Sequence, residues 1–436
     1  MKFDESARLR ERAHRLIPGG AHTYSKGDDQ FPQLAPGFIA RGKGALVWDA
    51  DGNEFLDWGM GLRSVCLGHA YGPVLDVVRA QLENGVNFTR PSALEGDLAE
   101  MLVELVPSAE MVKFAKNGSD VTTAAVRLAR AYTGREMVIR CLDHPFFSVD
   151  DWFIGDTVMD AGIPQSSKDL TCHFPFNDAV ALERLLDEHG SNVACIILEA
   201  AATAAPVPGF LERVRDLATR HGAVLIFDEI ISGFRWHVRG AQHYYGVTPD
   251  LATFGKAMAN GFSLSALVGK RSIMERGGLD HLHPRVFLLS TTNGTETHSL
   301  AASLKTLELL RDRAIIEENW QVGRQLREGF NAQAEAYGIG DRARWQGIDI
   351  SPWYAFTGDN GKPDLALRTL FLQETIRHGV LIPYVAISAS HRQAEVDRTL
   401  DATDKALKVV AQAMERGSVE GLLQGPVVKP VFRKFN

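Results

Sequence analysis

Two short segments decide how this chain folds. In each of them a charged residue follows a short apolar run. Residues 224–235 are VLIFDEIISGFR, and residues 254–269 are FGKAMANGFSLSALVG. The first run is the most apolar in the chain, and its composition predicts a buried strand that ends at Asp228. Lys256 lies about one α/β unit further on, in a stretch poor in other charges. Open α/β sheets bind ligands outside the carboxyl ends of their strands, so we expect Asp228 to face such a crevice.

An acid and an amine in this relation suit a pyridoxal phosphate (PLP) enzyme. The amine of Lys256 can form a Schiff base with the cofactor aldehyde, and the carboxylate of Asp228 can keep the pyridine nitrogen protonated. Neither residue is specific alone. Most lysines are solvated surface residues, and Asp228 or Glu229 could make a structural salt bridge, for instance with Arg235.

A third segment could hold a phosphate. Residues 114–134, FAKNGSDVTTAAVRLARAYTG, predict a strand, a turn that begins at Asn117, and an amphipathic helix. A glycine turn at a helix N-terminus exposes free N–H groups and the positive end of the helix dipole, which favours a phosphate ligand. The alternative is that Ser119 or Asp120 is only a helix cap.

Composition narrows the class of protein. The chain has 436 residues, of which 45% are hydrophobic and 23% charged, which is enough for a large core and two domains. The net charge of -7 argues against a nucleic-acid or anionic-membrane surface. The four cysteines have no CxxC spacing, so we expect reduced thiols in a cytoplasmic protein, without disulfides or a metal site. The N-terminus is charged and helical in pattern, and no apolar run reaches about 18 residues, which predicts neither a signal peptide nor a membrane anchor.

The order of the patterns predicts the architecture. Residues 45–58 predict a hairpin with its turn at Asp51 and Gly52. From about residue 65 to 310, apolar runs alternate with helical patterns, which predicts a largely parallel sheet covered by helices. A helical stretch near 297–337 and weaker strands precede a helix over 393–414. The predicted division is a small α+β domain from residues 1–64 and 316–436, and a large domain from residues 65–315.

Three motifs in this order resemble the class III aminotransferases of PLP fold type I. They are residues 117–135, NGSDVTTAAVRLARAYTGR, residues 225–235, LIFDEIISGFR, and residues 253–262, TFGKAMANGF. Within that class the whole chain most resembles glutamate-1-semialdehyde aminomutase and its aminotransferase relatives. The resemblance implies an α/β fold, with a large domain built on a mostly parallel, seven-stranded sheet and a small α+β domain from both termini.

The resemblance also implies roles for residues in the cofactor site. Lys256 would be the Schiff-base lysine and the shuttle that moves a proton between substrate Cα and cofactor C4′, and Asp228 would be the pyridinium partner. The phosphate would be held by Asn117, Gly118 and Ser119, with added charge from Lys116. In the family a threonine of the neighbouring subunit completes the phosphate site. The matching residue is Thr292, which implies a homodimer with shared active sites.

Two further residues correspond to positions beside the cofactor ring. Glu199 ends the strand VACIILE and matches a family glutamate near the ring; the alternative is a generic strand-end acid. Phe146, in DHPFFSVDDW at residues 143–152, takes the place of the family tyrosine that stacks on the ring. Its alternative is simple core packing.

The substrate side departs from the aminomutases. They carry an arginine shortly after their PGG segment, whereas this chain has AHTYSKGDDQ at residues 21–30, with Lys26 in that region. Lysine lacks the planar fork that suits a carboxylate. Tyr24, Lys26, Arg63 and the loop over residues 151–167 are therefore candidates for binding a different substrate; the alternative for each is a surface or structural role.

The sequence therefore predicts a PLP-dependent aminotransferase that uses Lys256 to move an amino group from an amino-acid donor to an aldehyde or ketone, with carbohydrate-derived acceptors as one candidate class. The alternative enzyme is an intramolecular aminomutase of the glutamate-1-semialdehyde type. A protein of this fold that binds PLP without turnover is disfavoured because both Lys256 and Asp228 are present.

Overall fold

The computed structural model of the chain describes residues 1–435. The strands are β1 (Ile39–Lys43), β2 (Leu46–Asp49), β3 (Glu54–Asp57), β4 (Met111–Ala115), β5 (Met137–Cys141), β6 (Thr171–Phe174), β7 (Val193–Leu198), β8 (Val224–Asp228), β9 (Leu251–Phe254), β10 (Ser265–Gly269), β11 (Ala343–Ile348), β12 (Ser351–Phe356) and β13 (Val380–Leu381). The helices and single helical turns are α1 (Asp4–Leu16), α2 (Met60–Arg63), α3 (Gly72–Leu82), α4 (Ala93–Leu105), α5 (Gly118–Thr133), α6 (Asp151–Ile154), α7 (Gln165–Lys168), α8 (Ala179–His189), α9 (Phe210–His221), α10 (Gly240–Tyr245), α11 (Arg271–Met274), α12 (Thr297–Asp312), α13 (Ile315–Ala336), α14 (Leu365–Arg377) and α15 (Gln393–Arg416).

The chain divides into two compact units. The terminal unit comprises Met1–Tyr71 and Glu317–Arg433, and the central unit comprises Gly72–Ile316 with the chain end from Lys434. None of the helices within residues 1–435 is long and apolar enough to cross a membrane.

The central unit is built on a seven-stranded sheet in the order β4-β10-β9-β8-β7-β5-β6. Strands β5 to β9 pair in parallel, and β10 is antiparallel to both of its neighbours. The prediction of a mostly parallel, seven-stranded sheet is thus confirmed. Every residue of β7, β8 and β9 is buried, as central strands covered on both faces require.

Strand direction determines where the charged residues lie. Because β10 is antiparallel to both β4 and β9, β4 runs in the same direction as β9. The carboxyl ends of β4, β5, β7, β8 and β9 therefore share one edge of the sheet. The residues that follow these strands include Lys116, Glu199 and Glu229, and Asp228 is the last residue of its strand.

The terminal unit contains a four-stranded sheet, β1-β2-β3-β13, and the separate hairpin β11-β12. The predicted hairpin at residues 45–58 is present as β2 and β3, and Gly52 in its turn has φ of 87°. The core of this unit is strongly aromatic. Its largest members are Trp58, Phe330, Trp345, Tyr354, Phe356 and Phe371.

Several local predictions need correction. The helical stretch near 297–337 is two helices, α12 and α13, with extended backbone at Arg313 between them. The predicted strand near residue 380 is only the two residues of β13, which pair in parallel with β3. Strands β1 and β6 were not predicted, because each is short and carries exposed polar residues.

Candidate active site

The three motifs converge on the side chain of Ile230, at the carboxyl edge of the central sheet. A Cβ atom built on Gly118 would lie 3.3 Å from Ile230 Cδ1, and one built on Gly255 would lie 3.1 Å from the same atom. The backbone N–H of Ile230 donates to Oδ1 of Asp228 at 2.9 Å. The glycine turn, the acid and the residue before Lys256 therefore surround one side chain.

Asp228 is a buried acid held in place by two donors. It is 4% exposed and accepts hydrogen bonds from Ile230 N at 2.9 Å and from Thr253 Oγ1 at 3.0 Å. Burial raises the pKa of Asp228 to about 6, and the nearby charge of Lys256 acts in the opposite direction. A cationic N–H donor would stabilise the ionised carboxylate, which is what a protonated pyridine ring offers. Asp228 therefore fits the predicted cofactor.

Glu229, the neighbouring acid, has a structural role. Its carboxylate accepts from the backbone N–H groups of Ala241 and Gln242 and, at 2.9 Å, from Gln242 Nε2. These contacts fix the start of α10. Burial raises the pKa of Glu229, and the hydrogen bonds oppose that rise. The sequence allowed a salt bridge for Asp228 or Glu229. For Glu229, hydrogen bonds from backbone and amide donors take the place of that salt bridge.

Lys256 begins a short 3₁₀ turn, Lys256–Ala259, that follows β9. Its φ is 43°, in the left-handed region that a residue with a side chain enters at a cost of about 1 kcal/mol or more. The rest of the turn holds this backbone in place, because Ala257, Met258 and Ala259 are fully buried and α12 packs against them. The lysine side chain thus starts from a rigid, strained position, a feature that clusters at functional sites.

The glycine turn opens helix α5. Asp120 Oδ2 accepts from the backbone N–H of Asn117 at 2.8 Å, and Ser119 Oγ accepts from Val149 N at 3.2 Å. Asp120 is therefore a helix cap, as the alternative proposed. The Ser119 hydroxyl instead contacts the backbone at Val149, in the loop that follows β5. The first N–H groups of a helix have no intrahelical acceptor, and α5 is 16 residues long. Its N-terminus suits a phosphate group.

Lys116 does not add a free positive charge beside this turn, contrary to our expectation. Its Nζ donates to Oε1 of Glu296 in a short ion pair. The Glu296 side chain is only 9% exposed, so the charge of Lys116 is compensated by a buried carboxylate.

Glu199 and Phe146 lie in different surroundings. Glu199 follows β7, is 3% exposed, and donates its backbone N–H to His144 Nδ1 at 2.9 Å. Phe146 is 46% exposed and its ring meets the edge of Phe153, with 5.6 Å between ring centres. The neighbouring Phe147 is the buried one. Stacking of Phe146 on a cofactor ring stays a prediction.

His144 was missed by the sequence interpretation. Burial and, to a smaller extent, the positive charge of Arg140 lower its pKa to about 3, so the imidazole is neutral. Because Nδ1 accepts from Glu199, the proton of the neutral ring is on Nε2. The signal was available, since His144 is the only histidine of the segment DHPFFSVDDW.

Thr292 lies in the irregular segment before α12. It is exposed, and its carbonyl accepts from Asn87 Nδ2 at 2.9 Å. Beside it the central unit has an open cavity of about 690 Å³. The cavity is lined mainly by residues 86–92 and 289–291. The role of Thr292 in a neighbouring subunit stays a prediction.

The three candidate substrate residues belong to the terminal unit. Lys26 lines a cavity of about 440 Å³ and has no ion-pair partner among the residues described. The guanidinium of Arg63 lies 4.7 Å from the centre of the Tyr384 ring, and Tyr384 lines the same cavity. Tyr24 is 67% exposed. The cavity has a mainly apolar wall, which includes Phe31, Phe38, Leu62, Leu381 and Pro383.

The loop over residues 151–167 is anchored within the central unit. Asp156 accepts from Arg140 Nε at 2.7 Å, and the Arg140 side chain is 5% exposed. Asp160 pairs with Lys168 at 2.6 Å. The loop is thus fixed by a buried ion pair, and a substrate contact from it stays a prediction.

Comparison with known proteins agrees with this geometry. The family model for class III aminotransferases matches residues 25–382. A glutamate-1-semialdehyde 2,1-aminomutase of Persephonella marina is 31% identical, over 94% of this chain and 99% of that protein. A 3-aminobutyryl-CoA aminotransferase of Cloacimonas acidaminovorans is 34% identical, over 95% of this chain and 99% of that protein. The structure of the FumI protein of Sphingopyxis sp. MTA144, in its PLP internal aldimine form, superimposes with a TM-score of 0.86 and 28% identity, over 96% of this chain and 98% of that one. The chain belongs to the class III aminotransferases and is a PLP-dependent enzyme of fold type I.

Proposed function

We propose that the enzyme transfers an amino group between two separate molecules, from an amino-acid donor to an aldehyde or ketone. The observation that carries this proposal is the meeting of Asp228, Lys256 and the Gly118 turn around Ile230. When bound there, PLP supplies the electron-withdrawing ring that makes the Cα–H of an amino acid acidic. The protein must then supply a base, a partner for the ring nitrogen and a phosphate site.

Each of these tasks has a candidate residue in the central unit, which we propose as the cofactor-binding domain. Lys256 would bond the cofactor and would move the proton between substrate Cα and cofactor C4′. Asp228 holds the proton on the pyridine nitrogen. The start of α5, with Asn117, Gly118 and Ser119, holds the phosphate.

Two residues complete the proposed ring site. Glu199, whose backbone N–H is bonded to the neutral His144, would lie beside the ring. Phe146 would cover one face of the ring. Its exposed ring is available for such a contact.

The enzyme is proposed to act as a homodimer in which Thr292 completes the phosphate site of the neighbouring subunit. Support comes from Phe88, which is 51% exposed and lines the cavity beside Thr292. An exposed aromatic ring at this position is available to pack against a neighbouring subunit. Sedimentation equilibrium tests this proposal, and a monomer at micromolar concentration would exclude it. We propose a cytoplasmic location, which the four free cysteines support.

Tyr24, Lys26 and Arg63 are the proposed substrate-binding residues. The amine of Lys26 lines the cavity and has no ion-pair partner among the described residues. It can therefore bind an anionic group of the substrate by donating hydrogen bonds. Carbohydrate-derived carbonyl compounds are the proposed acceptor class, because a lysine stands where the aminomutases have their carboxylate-binding arginine. Efficient conversion of simple amino acid semialdehydes, with no activity on keto- or aldehydo-sugars, would refute this part.

The second candidate is an intramolecular aminomutase. The relative in Persephonella marina, which carries that name, favours it. The two reactions differ in their products. A separate donor that releases one keto acid for each amino group delivered excludes the aminomutase as the sole activity.

Visible absorbance tests the cofactor chemistry directly. The purified protein with PLP should show a band that bleaches when a donor amino acid is added, and Lys256→Ala should lack that band. Lys408→Ala, at an exposed position of α15, is the matched control and should keep it. A Lys256→Ala protein with the wild-type band would refute the assignment of Lys256.

A further inference from the structure

The ion pair between Lys116 and Glu296 joins two segments of one subunit, the glycine turn of its own proposed phosphate site and the Thr292 segment proposed to serve the neighbouring site. Lys116 stands between the end of β4 and the turn at Asn117–Ser119. Glu296 stands directly before α12, four residues after Thr292. Its Oε1 accepts from Lys116 Nζ, and its Oε2 accepts from Gly294 N at 3.0 Å. One carboxylate therefore ties the Thr292 segment to the start of the glycine turn.

The two segments also touch through their backbones. Gly294 is buried, and a Cβ atom built there would lie 3.5 Å from Cα of Ala115. The Thr291 hydroxyl donates to the carbonyl of Asn293 at 2.6 Å, which tightens the same loop. The loop over residues 291–296 is therefore held on the end of β4, with the ion pair at its base.

Electrostatics keep this pair ionised. Burial alone would raise the pKa of Glu296, but the hydrogen bond and charge of Lys116, together with hydrogen bonds from backbone N–H groups, outweigh burial and hold that pKa below its usual value. The carboxylate also lies at the N-terminus of the 16-residue helix α12, where negative charge is favoured. Removing Lys116 leaves an uncompensated charge on Glu296, whose side chain is 9% exposed, whereas the amine of Lys116, at 37% exposure, can be hydrated when Glu296 is removed.

We propose that Lys116 and Glu296 are a positioning pair for cofactor binding, which holds Thr292 in the place that the phosphate site of the neighbouring subunit requires. The proposal rests on the proposed homodimer with shared sites. It assigns Lys116 no direct contact with the phosphate. It also means that a change beside one glycine turn alters cofactor binding at the other site of the dimer.

Titration of cofactor-free protein with PLP, followed by absorbance, separates positioning from direct phosphate binding. Glu296→Gln and Lys116→Met should each raise the dissociation constant roughly tenfold, and the double variant should be no weaker than the weaker single variant. If Lys116 instead binds the phosphate directly, the effect of Glu296→Gln on PLP affinity should have the opposite sign. In that case Glu296→Gln would release the ammonium and leave PLP affinity unchanged or stronger, which would overturn the proposal.

Lys305→Met is the matched control, since it breaks a lysine–glutamate pair of 2.9 Å on the surface of α12. It should leave PLP affinity unchanged. Glu296→Asp, which keeps the charge on a shorter side chain, provides a second variant should Glu296→Gln fold poorly, and it should show a smaller loss in the same direction.

Mixed dimers show which site the pair serves. When one subunit carries Lys256→Ala, only the other subunit can form the lysine-bound absorbance band. When Glu296→Gln is placed in the Lys256→Ala subunit, the site that keeps Lys256 should bind PLP roughly tenfold more weakly, as measured by its absorbance band. When Glu296→Gln is placed in the subunit that keeps Lys256, the PLP affinity of that site should be unchanged. The reverse pattern, or equal weakening, overturns the proposal.

Failure of this inference is distinguishable from failure of the proposed function. A wild-type protein that forms the band as a dimer, with the wrong pattern in mixed dimers, refutes only the positioning pair. A monomeric protein, or one without the band, refutes the shared-site proposal and the inference together.

Discussion

The hydroxyl of Thr253 donates a hydrogen bond of 3.0 Å to Oδ1 of Asp228, across the neighbouring strands β9 and β8. The two residues are register partners in this parallel pair, and Thr253 is fully buried. The backbone strengthens the link, since Glu229 N donates to the carbonyl of Thr253 at 2.8 Å. The strand that leads to Lys256 therefore also orients the acid proposed to hold the pyridine nitrogen.

Thr253→Val should weaken PLP binding roughly tenfold, because it removes one of two donors to the Asp228 carboxylate while keeping the shape of the side chain. A hydrogen bond to a charged group contributes about 1.5–3 kcal/mol, and part of this loss will appear in cofactor affinity. Titration by visible absorbance measures the change. Thr375→Val, which removes a buried hydroxyl bonded to a carbonyl of α14 in the terminal unit, is the control. Equal affinity of Thr253→Val and wild type would contradict the role of Thr253.

Asp228 should make the cofactor-free protein less stable as pH rises. Its pKa is about 6 in the folded state against 3.8 as the ordinary value, so the folded state binds the proton more tightly. The resulting stability is fully present below pH 3.8 and is lost as pH rises through 6. A shift of about 2 units at about 1.4 kcal/mol per unit corresponds to a loss of about 3 kcal/mol.

Asp228→Asn tests this pH dependence because the amide does not titrate. Relative to wild type, the cofactor-free variant should gain about 2–3 kcal/mol of unfolding free energy between pH 4 and pH 7. Denaturant unfolding at several pH values measures the difference in unfolding free energy between the variant and wild type. The contributions of all other titrating groups cancel in this difference, because both proteins contain them. With PLP bound the order should reverse at neutral pH, since the ionised acid then has its cationic partner. Parallel pH profiles of the two cofactor-free proteins would contradict the raised pKa.

Glu229→Gln should reduce stability while leaving the cofactor spectrum intact. The amide cannot accept all the hydrogen bonds that Glu229 receives from Ala241 and Gln242, so we expect a loss of about 1–3 kcal/mol. Thermal unfolding measures the loss of stability, and the visible spectrum of the PLP-bound protein shows whether the cofactor site is intact. Asp228→Asn, one residue earlier, should show the opposite combination. A disturbed spectrum in Glu229→Gln would mean that the second acid also serves the cofactor.

The middle of the central sheet was predictable because β7 and β8 are continuous apolar runs, each followed by an acid at the end of the strand. Burial on both faces leaves that pattern in any sequence. Strands β1 and β6 lie at sheet edges and expose polar side chains, so no comparable pattern marks them. Helices α12 and α13 merged in the prediction because only two residues, the extended Arg313 and Ala314, separate them.

The candidate site was predictable only in part. Lys256, Asp228 and Gly118 belong to ordered motifs, and strand polarity alone brings them to one edge. The partner of Lys116 could not be predicted, because Glu296 is 180 residues away in the sequence and the pairing depends on how α12 docks. His144 has a local signal, but its contact with Glu199 depends on the pairing of β5 with β7.

Gly118→Ala should weaken PLP binding, because the new methyl group would meet Ile230. A Cβ atom there would lie 3.3 Å from Ile230 Cδ1, which is closer than an ordinary van der Waals contact, so either Ile230 or the first turn of α5 must shift. We expect a three- to tenfold rise in the dissociation constant for PLP, about 0.7–1.4 kcal/mol. Absorbance titration measures it.

Ile230→Val should restore most of that affinity, since it removes the δ-methyl group that the new Cβ would meet. Alone it should cost about 0.5–1.5 kcal/mol of stability and leave PLP affinity nearly unchanged. Gly96→Ala is the matched control, because it lies within α4 with no atom inside 4 Å of the new Cβ, and it should stabilise the protein by about 0.5–1 kcal/mol. Failure of Ile230→Val to rescue Gly118→Ala would show that Ile230 does not connect the glycine turn to the acid and the lysine.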